Sequence, residues 1–208
     1  MYLSRLRPDR SHARARADLA SPYELHATLC RALAGEGQAP PRFLWRLEAG
    51  RVPAVLVQSL EMPDWQRLER RYPGYFAQAP ESKPVPLEHL RPGQVLRFRL
   101  RANPTVTRKD PHNPEKRKRH GLKDVEAQLQ WLERQGGKGG FSVLGAAVAQ
   151  SERVRTFKHA GGSPIVLQAV LYEGRLRVTD LEAFKNTLTG GLGHAKALGF
   201  GLLSVARG

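Results

Sequence analysis

The order in which apolar periodicities follow one another along this chain occurs twice, and that doubling limits the fold more than any single motif. Tyr2 to Leu6 alternates apolar and polar residues, the period of a strand. A helical stripe follows at Pro22 to Leu33, then strand patterns at Phe43 to Leu47 and Ala54 to Leu60. A short helix opens at an Asp cap over Asp64 to Arg71, and another strand runs from Gln94 to Arg101. The resulting order is β-α-β-β-α-β, that of a ferredoxin-like domain. It then resumes with a helix at Lys123 to Gln135, where Val125, Leu129 and Leu132 share one stripe. Strands follow at Phe141 to Val148 and Val154 to Lys158. Ile165 to Tyr172 and Arg175 to Val178 read as a hairpin turning at Glu173-Gly174. A capped helix at Asp180 to Thr189 and a strand at Phe200 to Ala206 close the pattern. The chain is therefore expected to be α+β, two tandem ferredoxin-like (β-α-β-β-α-β) domains, the second less regular. The first is expected at 1–103 and the second at 123–208. Residues 104–122 between them form a basic linker or loop, rich in Pro, Lys, Arg, His and Asn and without apolar periodicity. The 208 residues suffice for two such units of about 90 to 100 residues each.

Charge sets the class of partner. Lys and Arg number 34 against 19 Asp and Glu, a formal net charge of +15. That surplus is the footprint of a protein that neutralises phosphates. An anionic membrane surface would draw the same charge, but no basic amphipathic helix or lipid-anchor motif accompanies it. No stretch approaches the roughly 18 apolar residues of a membrane span. The first residues lack the apolar region of a signal peptide, which points to the cytoplasm. Cys30 is the single cysteine, which excludes an internal disulfide and any Cys-pair zinc site. The seven histidines are scattered with few carboxylates near them, so neither a protein-held metal nor another cofactor is expected.

The basic charge is unevenly placed. From Arg91 to Lys123 there are eleven Lys and Arg against Asp110 and Glu115. In the run 96–101 the period is strictly two, so Leu96, Phe98 and Leu100 face a core while Arg97, Arg99 and Arg101 line the opposite face. Same-side arginines repel, which an anionic partner offsets; a solvated polar face is the alternative. Near the C-terminus, residues 190–201 crowd glycines around His194 and Lys196 ahead of an apolar strand. Glycine lets another backbone come close, so the loop suits an anion or a nucleic-acid backbone; plain chain reversal is the alternative. It is no Walker A loop, because Lys196 lies between two alanines, and it lacks the spacing and preceding strand of a dinucleotide fingerprint.

The first helix carries candidate chemistry. Ser21-Pro22-Tyr23-Glu24 reads as a capping box with Pro at the first helical position. Leu25, Leu29, Ala32 and Leu33 share the arc to be buried, and Tyr23, His26 and Cys30 fall on its shoulder. A phenol and an imidazole three residues apart present to one point. In RNA cleavage the ribose 2′-hydroxyl loses a proton and the departing 5′-oxygen gains one, and imidazole does either near neutrality. The competing readings are a partly buried histidine without a role, a packing tyrosine and a space-filling cysteine. A two-histidine phosphoesterase is excluded, since His26-Ala27-Thr28 has no second copy. A further basic cluster, Arg153, Arg155, Lys158 and His159, runs into Gly161-Gly162 and is placed to set a cation against a phosphate; a solvated loop is the alternative.

Five stretches together, at 18–26, 43–48 (Phe-Leu-Trp-Arg-Leu-Glu), 96–104 (Leu-Arg-Phe-Arg-Leu-Arg-Ala-Asn-Pro), 167–176 and the C-terminal glycine-rich loop, resemble the CasE-type CRISPR repeat-processing endoribonucleases. These are RAMP-superfamily subunits of type I-E Cascade. The resemblance implies two tandem ferredoxin-like domains and metal-independent cleavage of precursor CRISPR RNA within the repeat hairpin. It implies 2′,3′-cyclic phosphate and 5′-hydroxyl ends, retention of the mature guide RNA and assembly with other Cascade subunits. Carried over by position, His26 would be the general acid or base, and Tyr23 would position or activate the 2′-hydroxyl. Lys158, or Arg155 in its place, would stabilise the phosphorane. Gly193, His194, Lys196 and Gly199 would touch RNA. Arg97, Arg99, Arg101, Arg153 and Arg155 would grip the A-form stem by phosphates and shape. The alternative function is a non-catalytic RNA-binding subunit of the same superfamily, holding a guide without cutting it.

Overall fold

The computed structural model describes residues 1–35, 38–48, 50–110, 113–158 and 162–207. In its first unit β1 (Tyr2–Pro8) leads into two short-linked helices, α1 (Ala13–Ala20) and α2 (Pro22–Leu33). Then come β2 (Phe43–Glu48), β3 (Ala54–Ser59), α3 (Gln66–Arg71) and β4 (Phe76–Pro84). The four strands form an antiparallel sheet in the order β2-β3-β1-β4. Period-two alternation turns Leu6, Trp45, Val55 and Val57 to the helix-covered face, where Leu25, Leu29 and Leu68 meet them in one core. Burying each such side chain contributes about 1.5–3 kcal/mol, which is what holds α2 against the sheet.

The second unit repeats the order. It comprises β5 (Val95–Ala102), a hairpin of β6 (Thr105–Asp110) and β7 (Asn113–Gly121), α4 (Val125–Lys138), β8 (Phe141–Phe157), β9 (Pro164–Val178), α5 (Leu181–Gly190) and β10 (Leu203–Arg207). Its sheet runs β10-β5-β9-β8, position for position the arrangement of the first. Leu96, Phe98, Leu100, Tyr172, Leu176, Trp131 and Phe184 fill its core. Both units are ferredoxin-like, and the inserted hairpin makes the second the less regular.

Three expectations change. The strand at 94–101 does not close the first sheet: β5 pairs with β9 and β10, and β4 closes the first sheet instead. The strands thus divide between the sheets after Pro84, not at 103. Segment β4, Phe-Ala-Gln-Ala-Pro-Glu-Ser-Lys-Pro, lacks apolar alternation and carries two prolines. Proline removes a ladder donor and is tolerated there because β4 lies at a sheet edge. The 104–122 segment is no unstructured linker, since β6 and β7 pair from Thr105↔Gly121 onward. Strands β8 and β9 are each continuous, with no turn at Glu173-Gly174. Gly174 instead pairs with Phe98 on one side and Ala146 on the other. A Cβ there would lie 2.1 Å from the Gly145 carbonyl oxygen, so this glycine permits a close interstrand approach.

The units meet through β2. Its odd positions, Phe43, Trp45 and Leu47, face the first core. Of the even ones, Arg46 is 2 % exposed and reaches the second unit. It donates to the carbonyls of Arg99 (2.9 Å) and Leu202 (3.1 Å) and to Ser204 Oγ (3.0 Å), and it pairs with Glu48. Gln58 of β3 donates to the Leu188 carbonyl at 2.6 Å.

Candidate RNA-cleavage site

Helix α2 starts where the sequence placed it, with Ser21 Oγ accepting from the Glu24 backbone N–H at 3.4 Å. The reciprocal half of the capping box is absent. The Ser21 N–H donates to Ala17 and Asp18, and the Glu24 carboxylate binds Arg14 at 2.9 Å. Arg14 also pairs with Asp18 at 2.8 Å and donates to Thr28 Oγ1 at 2.7 Å. Asp18, 1 % exposed, accepts from Tyr75 Oη at 2.8 Å and from Thr28 Oγ1 at 3.1 Å. Burial raises the Asp18 pKa against these donors and pushes the Tyr75 phenol well above its usual value. This network, which the sequence did not disclose, ties α1 to the back of α2.

On the shoulder of α2, Tyr23, His26 and Cys30 are all half-buried. The His26 ring stacks on Phe43 of β2, centroids 5.3 Å apart and planes 27° from parallel. Its Nε2 lies 3.6 Å from Cys30 Sγ, and its Nδ1 is buried with no partner among the described residues. Burial lowers the His26 pKa, so the neutral ring is favoured, and raises that of the Cys30 thiol, so it stays protonated. Among the described residues the one polar contact of this neutral imidazole is the weak one to sulfur, which a hydroxyl arriving at Nε2 would have to displace.

The glycine-rich loop packs on this helix. Its 3₁₀ turn, Lys196–Leu198, contacts both α2 and β2. Gly199, at φ +82°, would place a Cβ 2.8 Å from the Trp45 ring, so only glycine lets the loop lie this close. Gly193 lies against the Trp131 ring. The loop gathers cations. Burial lowers the Lys196 pKa, and nearby Arg42 lowers it further. Burial, Arg119 of β7 and Lys196 lower that of His194. Arg42 donates to the Gly190 carbonyl at 2.7 Å. Among the described residues, none of Arg42, Lys196 or Arg119 has a carboxylate partner.

The other expected residues are distributed unevenly. Arg153, Arg155 and Lys158 are exposed along the end of β8 and just past it, and α2 touches that strand. Arg155 lies over the Phe157 ring at 5.9 Å. Lys158 makes no hydrogen bond or ion pair among the described residues. His159 and Gly161 lie outside the described residues. The arginine row of β5 is not a free phosphate grip along its length. Arg99 pairs with Glu173 (3.1 Å) and Glu48 (3.4 Å), and Arg101 with Glu152 (3.6 Å). The acids come from other strands, which is why the run itself, with no acid in it, read as unneutralised.

Hairpin β6–β7 was missed as an element. Its register sets Arg108 opposite Lys118 and Lys109 opposite Arg117. Like charges directly across strands destabilise by about 0.2–1 kcal/mol per pair, and Lys118–Asp110 at 2.6 Å relieves one of them. Among the described residues no group of three His, Cys, Asp or Glu side chains is placed to hold a metal ion, and no helix is long and apolar enough to cross a membrane.

Comparison with known proteins covers nearly the whole chain. A family model described as CRISPR associated protein matches residues 1–207. The CRISPR-associated endoribonuclease Cse3 of Thermus thermophilus is 41% identical over 223 residues, covering 99% of this chain and all of that one. The CRISPR system Cascade subunit CasE of Escherichia coli is 33% identical, covering 99% of each chain. A structure of T. thermophilus Cse3 bound to an RNA representing a pre-cleavage complex superimposes with a TM-score of 0.83 at 40% identity, covering 99% of this chain and 98% of that one.

Proposed function

This chain belongs to the CRISPR-associated protein family, and on that premise we propose that it is an endoribonuclease that processes precursor CRISPR RNA. The observation that carries this reading is the neutral, half-buried His26 beside Tyr23 on α2, with the cations of the glycine-rich loop packed on the same helix. Relatives with RNA-bound and Cascade assignments support the substrate and the partners: the repeat hairpin, the mature guide it leaves, and other Cascade subunits. Such an assembly works in the cytoplasm.

The chemistry follows from the residues. His26 takes the proton of the ribose 2′-hydroxyl, which Tyr23 orients, and the freed oxygen attacks the adjacent phosphorus. The bond to the 5′-oxygen breaks, leaving a 2′,3′-cyclic phosphate and a 5′-hydroxyl, and the proton returned to the leaving oxygen comes from an imidazolium or water. A cation at the end of β8, Lys158 or Arg155, offsets the charge on the phosphorane. Lys196, His194 and the backbone at Gly193 hold phosphates on one side, while Gly199, expected from the sequence to touch RNA, is buried against Trp45 and seats the loop instead. Arg153 and the basic hairpin, whose own repulsion an RNA backbone would relieve, hold the stem.

The test uses an end-labelled repeat hairpin in EDTA, beside the same RNA with a 2′-deoxy sugar at the cut. Only the first should be cleaved. His26→Ala should lower the rate on the order of 10²-fold or more with little change in affinity. Tight binding with both RNAs intact would leave a guide-holding subunit without catalysis.

A further inference from the structure

The cleavage site leaves one strongly charged surface unused. Helices cover one face of the second sheet; the opposite face presents Arg97 and Arg99 of β5 with Glu173, Arg175 and Arg177 of β9. Arg99 is bound between Glu48 and Glu173. Arg97, Arg175 and Arg177 are exposed, and among the described residues none of them has a carboxylate partner. Arg97 is the direct register partner of Arg175, and Arg177 follows two positions on, so three unpaired guanidinium groups crowd the two central strands. Arg97 Nε spends one donor on the Arg207 carbonyl at 3.2 Å. A groove of about 650 Å³ runs over this face, lined by Arg97, Arg99, Glu173, Arg175 and Ser204. It lies away from His26: on β2, Phe43 carries the histidine stack, while Glu48, of opposite parity, reaches Arg99.

We propose that this sheet face binds a single-stranded stretch of the RNA that flanks the hairpin. The inference rests on the reading of the chain as an RNA-processing enzyme and adds a second contact to it. Guanidinium groups pair with phosphate and stack flat on unpaired bases, the two contacts an unstructured strand offers together. An open four-stranded sheet is a surface on which other RNA-binding modules stack two or three splayed bases, there on aromatic rings. Here arginines stand on the central strands instead. A strand covalently tied to a hairpin held elsewhere on the protein arrives at millimolar effective concentration, so modest contacts suffice.

The test is binding by fluorescence anisotropy, using a hairpin made uncleavable by a 2′-deoxy sugar. It is compared bare, with ten uridines added on its 5′ side, and with ten added on its 3′ side. For the wild-type protein one extension should tighten binding about tenfold or more. Arg175→Ala/Arg177→Ala should lose that increment while binding and cutting the bare hairpin as wild type does. Arg175→Lys/Arg177→Lys, which keeps the charge the fold already tolerates, should lose at least half of it, because an ammonium does not stack. The proposal is overturned if neither extension tightens binding, if the alanine pair keeps the increment, or if it weakens the bare hairpin equally. Should wild type fail to cut the hairpin while the alanine pair still loses the increment, the nuclease reading falls and the sheet face stands.

Discussion

Burial of His26 against Phe43 holds its pKa below the usual histidine value of 6.5. A general base works in its neutral form, so a lowered pKa moves the acid limb of the rate profile to lower pH. The cleavage rate should stay flat as pH falls through 6.5 and decline only below it; a limb centred at or above 6.5 contradicts the assignment. The same shift acts on stability with a definite sign. Between the folded and unfolded pKa values the unfolded chain binds the extra proton, so stability falls as pH drops below about 6.5. Residue-scale features were legible in the sequence where their cause is local. The Ser21 cap and the shared shoulder of Tyr23, His26 and Cys30 follow from helix spacing alone. The Glu24–Arg14 pair and the Phe43 stack were not legible, because each joins elements whose docking no local pattern states.

Among the elements, hairpin β6–β7 shows why a charged strand escapes sequence reading. Strand patterns are recognised by one apolar face, and here the described side chains along Lys116 to His120 are exposed on both faces. What holds the element is backbone pairing, which leaves no trace in side-chain alternation. Its charge nevertheless has a measurable use. Arg117→Ala/Arg119→Ala should weaken hairpin RNA binding and flatten the plot of log affinity against log salt by about 1.5, the release of roughly two counterions. Thermal stability should hold or rise, since the Lys109↔Arg117 repulsion is removed. An unchanged salt slope would place the hairpin outside the RNA contact. Edge strand β4 was hidden for a different reason: its two prolines, which an edge strand tolerates because one side of its ladder is unpaired, and its lack of apolar alternation mask the strand signal.

Across the whole molecule, the two ferredoxin-like units are joined by a buried charge. The arginine of β2 is enclosed between the sheets with one carboxylate, two carbonyls and a hydroxyl as partners. Removing one member of such a buried set typically costs about 3–5 kcal/mol, because the remaining polar groups lose their partner without regaining water. Arg46→Ala should therefore lower the melting midpoint markedly and split a single calorimetric transition into two; a midpoint within a degree or two of wild type would show that apolar contacts alone hold the units. The doubled element order made the ferredoxin-like pair legible, but not which unit owns the strand at 94–101, nor how the units join. The one hint was Phe-Leu-Trp-Arg-Leu, apolar on both parities of β2, as suits a strand covered on both faces.

The glycine-rich loop bridges the same divide from the other side. Leu192 is seated in the second core, and Gly199 lies flush on the indole of Trp45 in the first. Surface connections elsewhere absorb extra residues because nothing measures their length. This one is gauged at both ends. The chain from Leu192 to Gly199 is a spacer cut to fit, and a residue added within it has to unseat one anchor or the other. Its length, no less than its glycines, belongs to the site it serves.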